Sequence, residues 1–268
     1  VLEDETAAKI LADKCQAANL TCQVLGGREN VLEASRYEEV DIVVSSLVGM
    51  AGLEPTLQAI KANKTIALAN KESLVVAGDL LLEEVDKHKV SLYPVDSEHS
   101  AIWQALAGGK ASEVHKLFLT CSGGPFRGKK RADLFGIQAA DALKHPTWQM
   151  GAKISIDSST LMNKAFELIE ACHLFNVPED KVEVVVHPES LIHSMVEFID
   201  HSVLAQLSFT DMKLPIQYAL TYPERKESLT PAFDPFDPKY KNLHFEPVDE
   251  ETFKAIQLAR EVFRGGRH

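Results

Sequence analysis

Two carboxylates, Asp96 and Glu98, stand two residues apart in Pro94-Val95-Asp96-Ser97-Glu98-His99, where the apolar run over residues 90–95 gives out. Side chains at i and i+2 of a β-strand share a face, so the spacing predicts that both carboxylates converge at the carboxyl end of a strand. Hard oxygen donors of that kind suit Mg²⁺ or Mn²⁺, whereas Zn²⁺ would draw His or Cys. The same residues also fit a helix start, with Asp96 or Ser97 capping a helix over residues 100–106.

A phosphate needs exposed backbone N–H groups, hydroxyl donors and a cation. Cys121-Ser122-Gly123-Gly124-Pro125-Phe126-Arg127 follows a strand-like run over 116–120. Ser158-Ser159-Thr160-Leu161-Met162-Asn163-Lys164 opens a helical pattern that carries Glu167. The structural alternatives are a simple Gly-Gly-Pro turn and a simple N-cap at Ser158 or Ser159. Lys71, in Asn70-Lys71-Glu72, either sends its charge toward a cleft from a strand end or is solvated in an ordinary turn. A third carboxylate beside Asp96 and Glu98 has several candidates, because Glu170 lies one helical turn after Glu167 and Asp157 is close in sequence.

Seven motifs in one order resemble a known family. They are Leu68-Ala69-Asn70-Lys71-Glu72-Ser73-Leu74, Pro94-Val95-Asp96-Ser97-Glu98-His99, Ser122-Gly123-Gly124-Pro125-Phe126-Arg127, His145-Pro146-Thr147-Trp148-Gln149-Met150-Gly151, Lys153-Ile154-Ser155-Ile156-Asp157-Ser158, Met162-Asn163-Lys164 and His187-Pro188-Glu189-Ser190-Leu191-Ile192-His193-Ser194-Met195-Val196. All are similar to the 1-deoxy-D-xylulose 5-phosphate reductoisomerases, and the similarity covers nearly the whole chain. The resemblance implies an oxidoreductase and isomerase that uses NADPH and Mg²⁺ or Mn²⁺. Its reaction rearranges 1-deoxy-D-xylulose 5-phosphate to a branched aldehyde and reduces that to 2-C-methyl-D-erythritol 4-phosphate, a step of non-mevalonate isoprenoid biosynthesis.

Carried over residue by residue, the resemblance implies that Asp96, Glu98 and Glu167 hold the metal and that Ser97 touches the substrate. Lys71 becomes a substrate contact and electrostatic catalyst. Ser122, Ser158, Asn163 and Lys164 take the phosphate, with His145 adding a donor and serving the chemistry. Residues 145–151 become a lid whose Trp148 covers substrate and nicotinamide, although a tryptophan is more often a core residue. Asn70, Glu72, Gly151 and Met212 fall to the cofactor. His193 is placed near the site, although its apolar strand context also fits a core histidine. A homodimer in the bacterial cytoplasm or the plastid stroma is the further implication.

The family normally begins with a strand and a Gly-rich dinucleotide-binding turn and ends in a helical domain. No Gly-x-x-Gly-x-x-Gly occurs here. The expectation is therefore an internal portion of a longer protein, with weak cofactor binding by this portion alone. Two other readings compete: a metal-dependent sugar-phosphate hydrolase or lyase, and an inactive binding fragment.

The elements that must position these residues alternate in the first half of the chain. Helices are expected over 7–18, 30–39, 53–62 and 74–88, and strands over 21–25, 40–46, 65–69 and 90–95. Short apolar strands between amphipathic helices imply a parallel sheet covered on both faces, with ligands beyond the strands' carboxyl ends. Strands at 117–120, 182–186, 194–199 and 202–209 follow with few helices between them beyond 100–107 and 160–175. The fold class expected is α/β. A Rossmann-like parallel sheet domain, its start missing, spans 1–95; an α+β catalytic domain spans 96–222; a linker and the start of a helical domain span 223–268.

Composition bounds the partners. With 268 residues and 45% hydrophobic content the chain has material for one large or two ordinary domains. A formal charge of −11 argues against a nucleic-acid groove and an anionic membrane surface. A phosphorylated sugar stays admissible, because one lysine and several N–H donors hold it locally. Four cysteines without Cys-x-x-Cys spacing fit free thiols.

Overall fold

A computed structural model describes residues 1–144 and 150–265. The chain divides into two compact units, Val1–Tyr93 and Pro94–His268.

In the first unit, α1 (Glu5–Ala17) starts at Asp4, whose carboxylate accepts from the Ala7 amide at 2.9 Å. α2 (Arg28–Ala34), β1 (Ile42–Ser45), α3 (Leu53–Lys61), β2 (Thr65–Leu68), α4 (Lys71–His88) and β3 (Leu92–Pro94) follow. The sheet order is β1-β2-β3, and β1 pairs with β2 in parallel from Ile42↔Thr65 to Ser45↔Leu68. Ile60, Ile66, Leu68, Leu74 and Leu81 are fully buried. The strand expected over 21–25 does not form; next to it stands an isolated parallel bridge, Leu2↔Gly26. Strand-favouring residues alone do not make a strand without a neighbour to complete the ladder. The second helix also ends at Ala34, short of the expected 39.

The second unit holds α5 (Ser97–Leu106), β4 (Val114–Cys121), α6 (Ala139–Ala142), α7 (Ala152–Ser159), α8 (Met162–Phe175), β5 (Val182–Val186), β6 (Ile192–Phe198), β7 (Val203–Leu207), α9 (Lys213–Thr221), β8 (Glu246–Pro247) and α10 (Ala255–Arg264). Its sheet runs β7-β6-β4-β5-β8. β4 and β5 are parallel, and the pairs β4-β6, β6-β7 and β5-β8 are antiparallel. The stretch read as a linker thus contributes an edge strand. α8 is buried almost all round, through Ala165, Leu168, Ala171 and Cys172, and α10 packs on it. The four cysteines are free thiols. Among the described residues no helix is long and apolar enough to cross a membrane.

Two local expectations change. Asp96 and Glu98 are not on a strand: β3 stops at Pro94, Asp96 is the N-cap of α5 and Glu98 lies in its first turn. Ser158 and Ser159 do not open a helix but close α7, and α8 begins only at Met162, after Leu161 in the left-handed region at φ 60°. One helical period had read across two helices joined at that turn.

Candidate active site

The cluster at the start of α5 is built by helix geometry. Asp96 Oδ1 accepts from the Ser97 amide at 3.1 Å, and the Asp96 carbonyl accepts from the Ser100 amide at 2.8 Å, closing the first turn. The positive end of the helix dipole favours both carboxylates there. From α8, Glu167 enters the same space with only 1% of its surface exposed. Carboxylate oxygens of Asp96, Glu98 and Glu167 all lie within 4.8 Å of one another.

Asn163, one turn before Glu167, donates to Glu167 Oε1 at 2.5 Å, and the Ser97 hydroxyl donates to Glu98 Oε2 at 2.5 Å. Lys164 Nζ lies 2.7 Å from Glu98 Oε1 and also bonds Glu167. Burial works against this ammonium, but the facing carboxylates of Glu167 and Glu98 outweigh it and raise its pKa above the ordinary lysine value. The lysine assigned to phosphate by resemblance therefore bridges two of the carboxylates assigned to metal. A cation already stands where three carboxylates converge. All-oxygen donors with one ammonium among them suit a hard divalent ion, Mg²⁺ or Mn²⁺.

Of the alternatives for the third carboxylate, Asp157 pairs with Lys153 at 2.7 Å. Glu170 turns to His99, whose Nδ1 is 3.4 Å from Glu170 Oε2, and both side chains are fully buried. His99 Nε2 meets the Glu167 carbonyl at 2.8 Å, so this histidine ties α5 to α8 behind the cluster. Sequence reasoning gave His99 and Glu170 no such part. Their signal was adjacency: His99 follows Glu98, and Glu170 follows Glu167 by three residues.

The glycine turn after β4 meets the end of α7. Gly124 has φ +69°, and a Cβ there would stand 2.6 Å from the Ser158 carbonyl oxygen. Ser122 Oγ accepts from the Gly124 amide at 3.2 Å. The turn with Ser122 and the helix end with Ser158 are thus in contact, and α8 starts beside them with Asn163 and Lys164 in its first turn. Burial pushes the Cys121 thiol, at the end of β4, up to about 11, so it stays protonated at neutral pH.

His193 on β6 places Nε2 2.9 Å from the Ser208 carbonyl, and burial depresses its pKa. It lines a small cleft with Ser97, Ser100, Gln206 and Asp211. Met212 caps α9, and Gly151 caps α7 on the surface. His145 and Trp148, with residues 145–149 of the expected lid 145–151, lie outside the described residues.

In the first unit, Asn70 caps α4 and is 2% exposed. Its Nδ2 donates to the carbonyls of Leu47 at 2.6 Å and Gly49 at 3.0 Å and to Glu72 at 2.9 Å, while Oδ1 accepts from the Ser73 amide at 3.2 Å. It locks the loop after β1 onto the start of α4. Gly52 must be glycine for this, since a Cβ there would lie 2.6 Å from the Asn70 side chain. Lys71, the first residue of α4, is 6% exposed, which excludes the solvated-turn reading.

Three stretches match family profiles: residues 1–78 match 1-deoxy-D-xylulose 5-phosphate reductoisomerase, 92–175 its C-terminal domain, and 207–268 a further DXP reductoisomerase C-terminal domain. A Clostridium botulinum (strain Loch Maree) protein named 1-deoxy-D-xylulose 5-phosphate reductoisomerase is 52% identical over 266 residues, covering 99% of this chain and 69% of the relative. A crystal structure of DOX-P reductoisomerase in complex with NADPH, fosmidomycin and magnesium superposes with a TM-score of 0.92 at 43% identity, over 99% of this chain and 67% of that one. The Zymomonas mobilis enzyme in complex with NADPH gives 0.89 at 41% identity, over 99% and 68%.

Proposed function

Because the chain belongs to the 1-deoxy-D-xylulose 5-phosphate reductoisomerase family, we propose that Asp96, Glu98 and Glu167 are the metal ligands of its reaction. That reaction is the NADPH- and divalent-metal-dependent isomerisation and reduction of 1-deoxy-D-xylulose 5-phosphate to 2-C-methyl-D-erythritol 4-phosphate. The single observation that carries the assignment of ligands is the convergence of three carboxylates within 4.8 Å at the junction of α5 and α8.

When bound, the divalent ion supplies charge stabilisation for neighbouring substrate oxygens and NADPH supplies hydride for the aldehyde carbon. The chain's own groups prepare that chemistry. Asn163 fixes one oxygen of Glu167, and His99 fixes the backbone that carries it, so the ligand set is held before anything binds. Ser97 orients Glu98 and keeps its oxygen at the cleft, where a substrate hydroxyl reaches it. A divalent ion held by Asp96, Glu98 and Glu167 would need oxygens that Lys164 now bonds. Lys164, in the first turn of α8 with Asn163 and beside Ser122 and Ser158, would then supply the one ammonium of that set to the substrate phosphate, a charge-assisted contact. His193, held neutral by burial, offers a hydrogen bond without adding charge to the cleft.

Lys71, Asn70, Glu72, Gly151 and Met212 keep their proposed places at substrate and cofactor, as do His145 and Trp148 in the lid, and the substrate is the phosphorylated ketose. The reaction takes place in the cytoplasm, in keeping with the bacterial relatives. β7, an edge strand exposing Val203, Leu204 and Leu207, is the face we assign to a homodimer contact. The test is NADPH oxidation by the full-length protein with the phosphorylated ketose. Turnover that requires Mg²⁺ or Mn²⁺ and consumes NADPH in step with substrate supports the reading; release of inorganic phosphate without NADPH consumption would identify the hydrolase instead.

A further inference from the structure

We propose that His115, Glu197 and His201 form a second metal site that takes Zn²⁺ and clips the β4–β6–β7 corner of the second unit. Two imidazoles and a carboxylate are the borderline donor set of zinc, in contrast to the all-carboxylate cluster at α5 and α8. One donor atom from each residue lies within 4.8 Å of the other two.

The backbone is arranged to bring these side chains together. Between β4 and β6 the register passes from Val114↔Phe198 to Lys116↔Glu197, so His115 is the extra residue of a bulge. A bulge re-aims a side chain and breaks the in-out alternation. Val114 and Leu117 both face the core, leaving His115 and Lys116 on the outside together. Lys116 turns away to Glu183 at 2.8 Å, and His115 is left over Glu197.

His201 sits in the turn that follows β6 with φ 65°, a conformation L-residues adopt at a cost. Its Nδ1 lies 2.8 Å from Glu197 Oε1, and its ring meets the His115 ring edge-on, with centroids 5.5 Å apart and planes at 81°. The turn is pinned by Phe198 N to Ser202 O at 2.9 Å, His201 N to Phe198 O at 2.9 Å, and Ile199 N to Glu113 O at 2.8 Å. Zinc bonds of about 2.0–2.2 Å need donors roughly 3.4 Å apart. Exposed histidine side chains reach that spacing by rotation alone, while the carboxylate, 17% exposed, is already held. Three protein donors leave a fourth position for water. The ion would join β4 to the hairpin that carries the edge strand β7, so its effect is on stability rather than on turnover.

The experiment is calorimetric titration of the full-length protein with Zn²⁺ under saturating Mg²⁺, which keeps the carboxylate cluster occupied, alongside thermal melts. Wild-type protein is expected to bind one Zn²⁺ and to melt several degrees higher with it. His115→Gln and His201→Gln should each weaken Zn²⁺ binding at least about tenfold. Both should melt as wild type without zinc and turn over normally with Mg²⁺. Bound Co²⁺ should show d–d bands without thiolate charge transfer, which separates this site from binding by Cys15 or Cys22. Zn²⁺ affinity unchanged in the double histidine variant, zinc displaced by Mg²⁺, or a thiolate band with Co²⁺ would each overturn the proposal.

Discussion

Lys164 carries the most information at the scale of single residues. Buried between Glu98 and Glu167, it neutralises part of a cluster that would otherwise repel itself, and each bond is made to an oxygen that a metal would want. One residue thus links two functions that the sequence treated separately, metal binding and phosphate binding. Nothing in Met162-Asn163-Lys164 discloses this, because an i to i+3 contact with Glu167 is legible but a reach to Glu98, distant in sequence, is not. His193 gives a pH prediction. Its folded pKa is depressed by burial from the ordinary value of 6.5, so the unfolded chain binds the proton more readily than the native one. Stability from this group is complete above about 6.5 and is lost as pH falls from there toward the folded value. Denaturant midpoints between neutral and mildly acidic pH should fall for the wild type and fall less for His193→Gln; parallel curves would exclude His193 as a source of the acid sensitivity.

Element geometry explains why some expectations held and others moved. The apolar run of β2 is legible because a buried strand has little choice of residue, and Ile66, Ala67 and Leu68 are buried. Asp96 and Glu98 were legible as a convergent pair but on the wrong element. Two residues apart on a strand share a face, but a cap and a first-turn residue also converge, and periodicity over six residues cannot separate the two. The break between α7 and α8 was hidden for a related reason: Leu161 adopts φ 60° without the glycine that would announce a turn. Gly124 shows the opposite case, a glycine whose need is set by distant packing. Gly124→Ala should destabilise the protein by about 1–3 kcal/mol, from left-handed backbone strain and from a Cβ 2.6 Å from the Ser158 carbonyl oxygen. It should also raise the Michaelis constant for the phosphorylated ketose, because the turn and the helix end separate. Chemical denaturation and steady-state kinetics check both, and a variant as stable as wild type would mean that this contact is not close-packed.

For the whole molecule, the chain carries a formal charge of −11 and still presents a cluster whose resident cation is a single lysine. Acidic residues gathered at one helix junction, in a protein already acidic, cost electrostatic energy that a divalent ion repays on binding. Family membership and the α/β class were legible because motifs spread along the chain keep their order. The zinc-type cluster was not, because it depends on a bulge and a turn that bring together residues more than eighty positions apart. The most direct measurement of the central claim is Mn²⁺ binding, followed by calorimetry and electron paramagnetic resonance, to full-length protein in which His115 and His201 are replaced by Gln. The account predicts one tightly bound Mn²⁺ that weakens at least about tenfold in both Asp96→Asn and Glu167→Gln, with the circular dichroism of the parent retained. Equal Mn²⁺ affinity in the parent and both variants would contradict it and remove these carboxylates from the metal site.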